Sequence, residues 1–152
     1  MQAYFPVSNT ENPTIADLEA GWQRVVAELR AYSLEQNRNI LFTELGYNQS
    51  YTAAAQPWDY GIDDEGAQAI QQLCWISALD AIAREPYIVG SLLWKWFPHP
   101  RPIGRNFQLA TPPIMRIIAD AWQGAVPAME FNQEAFDQWR QQRSARRRRQ
   151  PE

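Results

Sequence analysis

Three apolar runs that do not alternate with polar residues, AYFPV from Ala3, ILFTEL from Ile40 and YIVGSLLW from Tyr87, are each followed by a segment with apolar residues at helical spacing. Runs rich in β-branched and aromatic residues without alternation suit parallel strands covered on both faces. The order β-α-β-α-β-α then implies parallel strands joined by right-handed crossovers. The first helix is expected from Thr14, a capping residue with Asp17 three positions on, and its stripe is Leu18, Trp22, Val25, Val26 and Leu29. The second starts at Asp63 or Asp64 and presents Ile70, Leu73, Cys74, Ser77, Ala78, Ala81 and Ile82. The third opens at Thr111 with Pro112 in its first position, faces the core with Ile114, Ile117, Ile118 and Ala121, and closes at Gly124. Two regions follow from this pattern, 1–124 as the α/β unit and 125–152 as a tail. The tail reads as an amphipathic helix through Phe131, Ala135, Phe136 and Trp139, and then as solvated arginines, Arg143 and Arg146 to Arg149.

At 152 residues, with 45% hydrophobic and 12% aromatic composition, the chain is long enough for one domain with a core of its own. The net charge of -3 conceals the basic tail, without which the body is more acidic, and this argues against nucleic acid as a partner. Cys74 and His99 are each the single residue of their type, which excludes a disulfide framework and a Cys/His zinc site built within one chain. Cys74 is expected in the core and His99 in a loop, and no metal or cofactor is expected. The Gly-rich phosphate loops and the G-x-S-x-G elbow are absent from the sequence. No stretch approaches the roughly 20 apolar residues of a membrane span. The start, MQAYFPVS, lacks a basic segment leading into an apolar one. No targeting signal is readable; the chain as it stands is expected in the cytoplasm, with localisation otherwise unassigned and the compartment of a longer parent protein left open.

What remains is a carboxylate among aromatics. Glu44 closes a buried-looking strand, and Gly46, Asn48, Gln49 and Ser50 after it are loop formers. The C-terminal end of a parallel strand is where α/β folds carry their chemistry, although a capping or salt-bridged Glu would look the same. Tyr4, Trp94 and Trp96 stand at the ends of the other two strands, and Tyr47, Trp58 and Tyr60 in the long loop after the second. Adjacent parallel strands would bring all of these to one end of the sheet. Aromatic faces around a carboxylate suit a pyranose ring, offering a stacking surface and a nucleophile for the anomeric carbon.

The stretches AYFPVS, ILFTELGY, AAAQPWDYG and GSLLWKWFP closely resemble the last three βα units of clan A TIM-barrel glycoside hydrolases, most of all the β-mannanase-like family 113. The resemblance covers about residues 1–124. It implies a partial (β/α)8 barrel, strands six to eight, with Glu44 as the retaining nucleophile and Tyr4 hydrogen-bonded to it. Trp94 or Trp96 would floor the central sugar subsite, with Trp58 and Tyr47 as further substrate-binding residues. The implied substrate is a β-linked oligo- or polysaccharide. A whole barrel has eight strands and about 250 residues, and the clan's general acid/base on strand four has no counterpart here. The expectation is therefore a fragment that is inactive alone, with a missing N-terminal half-barrel as a candidate partner. The competing reading is a catalytically inactive remnant, or a non-catalytic carbohydrate or protein interaction module.

Overall fold

A computed structural model describes residues 1–97 and 105–123. It shows a mixed α/β arrangement in which three helices pack on one face of a short parallel sheet. α1 (Ile15–Gln36) begins at a complete capping box, with Thr14 and Asp17 each accepting from the other's backbone N–H. Its buried residues include Leu18, Trp22 and Leu29. β1 (Ile40–Leu45) pairs in parallel with β2 (Ile88–Leu93). Between them runs α2 (Gln68–Arg84), which packs between α1 and α3 (Pro112–Trp122). Leu73, Cys74, Trp75 and Ala78 of α2 join Phe42, Leu45, Ile88, Ile114 and Ile118 in one core.

Four expectations change. The first apolar run is not a strand: it makes one isolated parallel bridge, Gln2 with Glu44, supported by bonds from Thr43 N to Met1 O and from Ala3 N to Glu44 O. Pro6 has no N–H to continue a ladder, and the chain turns away so that Val7 N and Ser8 N both bond Ala54 O. The sheet thus has two strands with the bridge along one side, not three strands. The strands are buried on one face rather than both, since Leu41 is 46% exposed, Val89 60% and Leu92 60%. Finally, α2 begins at Gln68 and not at Asp63 or Asp64, because the Asp64 carboxylate is engaged by the backbone N–H of Tyr51. Gly124, His99 and the tail lie outside the described residues.

Candidate functional site

The end of β1 carries the site. By strict alternation Glu44 would share the buried face with Phe42. The register with β2 is irregular between Phe42 and Leu45, so that three steps of β1 span two of β2, from Ser91 to Leu93. Phe42 and Leu45 are both fully buried, whereas Glu44 is half-buried. An extra residue in one strand of a pair re-aims a side chain in this way.

Both oxygens of Glu44 are engaged. The Tyr4 hydroxyl donates to Oε2 at 2.9 Å, and the Gln2 side-chain amide donates to Oε1 at 3.0 Å. Burial, and then the hydrogen bond and negative charge of Glu44, push the Tyr4 hydroxyl far above its ordinary pKa. Tyr4 is therefore a standing donor to the carboxylate.

From Tyr4 a continuous series of contacts leads to the end of β2. The ring of Tyr4 meets buried Phe107 edge-on at 6.3 Å, and Phe107 lies 4.8 Å from Tyr60. The Tyr60 hydroxyl accepts from the Trp94 indole N–H at 2.7 Å. Trp94 is tied to β1 by its own N–H on Leu45 O. Gly46 allows this approach, since a Cβ there would lie 2.6 Å from the Trp94 carbonyl oxygen. Beyond Trp94, the Lys95 ammonium sits over the rings of Tyr60, Trp94 and Phe97 at 5.3, 5.1 and 4.8 Å from their centroids.

The long loop that brings Tyr60 here is held by buried amides. Asn48 donates to the carbonyls of Gln56 and Asp59, and Asn106 to those of Asp59 and Ile62. Gln71 of α2 reaches across to the carbonyls of Tyr47 and Asn106. The backbone on both sides of Tyr60 is thereby fixed.

The sequence-derived residues divide. Tyr4 bonds Glu44, and Trp94 connects to that pair through Tyr60 and Phe107. Tyr47 is a correction: it is fully buried and packs edge-on against Trp75 at 5.7 Å, so no face of its ring is open to a ligand. Trp96 is 55% exposed and turns to a separate groove of about 490 Å³, shared with Leu92, Met115 and Trp122. Trp58 is exposed on the loop. Glu85, at the opposite end of β2, is buried and paired with Arg30 at 2.6 Å. Gln2, Phe107 and Lys95 were missed by the sequence reading. Among the described residues no three His, Cys, Asp or Glu side chains are grouped to hold a metal ion, and no helix is long and apolar enough to cross a membrane.

The end of β1 thus holds a carboxylate with a tyrosine donor. Residues 1–104 match the model of Glycoside Hydrolase Family 113, and the chain belongs to that family. Membership implies a TIM barrel; the described residues form two paired parallel strands, one further bridge and three helices. Neither a curated protein nor a solved structure matches the chain.

Proposed function

We propose that this chain carries the nucleophile of a retaining glycoside hydrolase acting on a β-linked, β-mannan-like polysaccharide, and that the general acid/base comes from βα units outside it. The observation that carries the proposal is the 2.9 Å bond from the Tyr4 hydroxyl to Glu44 Oε2. Glu44 attacks the anomeric carbon while the second carboxyl, roughly 5 to 5.5 Å away, protonates the departing oxygen; water then releases the sugar with retention. Tyr4 keeps the carboxylate oriented and itself stays protonated. Trp94, its ring fixed by Tyr60, provides the stacking surface. Alone, the chain has no acid to protonate the leaving group, a loss of about 100- to 10,000-fold from that step by itself, and it is inactive.

The test is co-expression with strands one to five of a family member. The two pieces should associate through apolar burial and edge pairing and cleave a β-mannan with retention. Glu44→Gln should leave association intact and lower kcat by roughly 10,000-fold or more. A complex that assembles yet works equally well with Glu44→Gln, or that inverts the anomeric carbon, would remove Glu44 from the nucleophile's role. A complex that forms and binds glycan without cleaving it would favour the non-catalytic module.

A further inference from the structure

Among the described residues, Lys95 places a cation against the rings of this site, and neither Glu44 nor Tyr4 accounts for it. Its ammonium is held by three aromatic faces, an arrangement that fixes a positive charge through the negative ring quadrupoles. The backbone around it is fixed too, since Lys95 N bonds Phe107 O and Leu109 N bonds Lys95 O. Lys95 takes part in neither the Arg30–Glu85 nor the Arg84–Asp80 ion pair. The rings offset part of the ammonium's desolvation but neutralise no charge, so it can still donate to an anionic oxygen. A second observation comes from the sequence: from Pro86 to Ala119 there is no Asp or Glu, while Lys95, Arg101, Arg105 and Arg116 are all cationic. The stretch that includes the end of β2 is therefore basic within a chain of net charge -3.

We infer that Lys95 determines specificity in this cleft, selecting a glycan whose ring at Trp94 and Tyr60 carries an anionic oxygen group, a uronic carboxylate or a sulfate ester. This rests on the reading of the cleft as a sugar site and narrows its substrate from neutral mannan to an acidic β-linked glycan. Trp94, anchored through its indole N–H and partly exposed, and Tyr60, 52% exposed, leave apolar ring surface beside the ammonium for the sugar. The ammonium beside both rings meets the anion in a charge-assisted hydrogen bond, roughly twice as strong as a neutral one. An exposed lysine would give little of this, because water and salt would screen it.

The experiment uses the full chain at low ionic strength. Neutral β-1,4-mannobiose, its dimannuronate counterpart and a 6-sulfated mannobiose are titrated while the indole N–H resonance of Trp94 is followed. At least one anionic disaccharide should bind about tenfold more tightly than the neutral one, and whichever of the two is preferred identifies the source of the charge. Lys95→Met should bring the ratio of anionic to neutral affinity close to one, Lys95→Arg should retain it, and added salt should reduce it. A ratio near one in the unaltered chain, or a ratio that survives Lys95→Met, overturns the inference. If the neutral sugar shifts Trp94 and the anionic ones show no advantage, only the role of Lys95 falls. If no disaccharide shifts Trp94, the sugar-cleft reading falls with it. Backbone resonances of both variants that superpose on those of the unaltered chain establish that the fold is intact.

Discussion

The rim around Tyr60 and the open face of the sheet are built from the same chain on opposite terms. At the rim, backbone carbonyls that would be costly to bury alone are each met by a buried amide from Asn48, Gln71 or Asn106. On the sheet, Leu41, Val89 and Leu92 present apolar side chains to solvent while Phe42, Leu45 and Ile88 pack against the helices. The difference teaches where this chain is self-sufficient. Among the described residues, helices, strands and the site loop close on one another, whereas Leu41, Val89 and Leu92 on the other strand face stay exposed.

Substitutions on the two sides should separate sharply. Trp75→Ala empties the fully buried centre beneath Tyr47 and should cost about 3 to 5 kcal/mol in urea unfolding. Gln71→Leu leaves the carbonyls of Tyr47 and Asn106 without their donor and should cost about 2 to 3 kcal/mol, with faster amide exchange in the loop that holds Tyr60. Gly21→Ala would set a Cβ 1.9 Å from the Val7 carbonyl oxygen, so the backbone must shift, at roughly 1 to 3 kcal/mol. On the open face, Val89→Thr combined with Leu92→Thr should change stability by no more than about 0.5 kcal/mol. A large loss there would mean that the face is covered in solution. In a two-piece barrel the same pair should weaken association, and an unchanged affinity would show that this face is not the one used.

The smallest effect is electrostatic and local to α1. The hydroxyl and backbone N–H of Thr14 hold the Asp17 carboxyl below its ordinary pKa. A depressed carboxyl stabilises fully above the unfolded value and loses that contribution as pH falls through the folded one. The start of α1 should therefore fray selectively in acid, as read by amide exchange at Asp17 and Leu18. Asp17→Asn should flatten that dependence.

The start of α1 was legible because a capping box is a local pattern, and α3 because Pro at the first turn is one as well. The link between Tyr4 and Glu44 followed from family resemblance, since forty residues separate the partners and no spacing rule joins them. Tyr60 was expected at this end of the sheet from the strand order, but Phe107 and Lys95 were not assembled with it for the same reason: ring contacts between distant segments leave no period in the sequence. Gln2 was overlooked because the bridge that aligns it with Glu44 lies in a run cut short by Pro6. Tyr47 misled because its place after the strand resembles that of a loop aromatic, whereas Gln71 draws its carbonyl, and Trp75 its ring, inward.

The amide ties of the rim have a consequence for recognition. A loop that closes over its ligand must surrender conformational freedom on binding, and affinity falls by the entropy lost. Here the segment from Tyr47 to Ile62 is cross-linked to α2 and to Asn106 before any sugar arrives. Ordering is completed when the chain folds. Association with a glycan should consequently show a small entropic penalty and a rate set by diffusion and charge rather than by rearrangement of the rim.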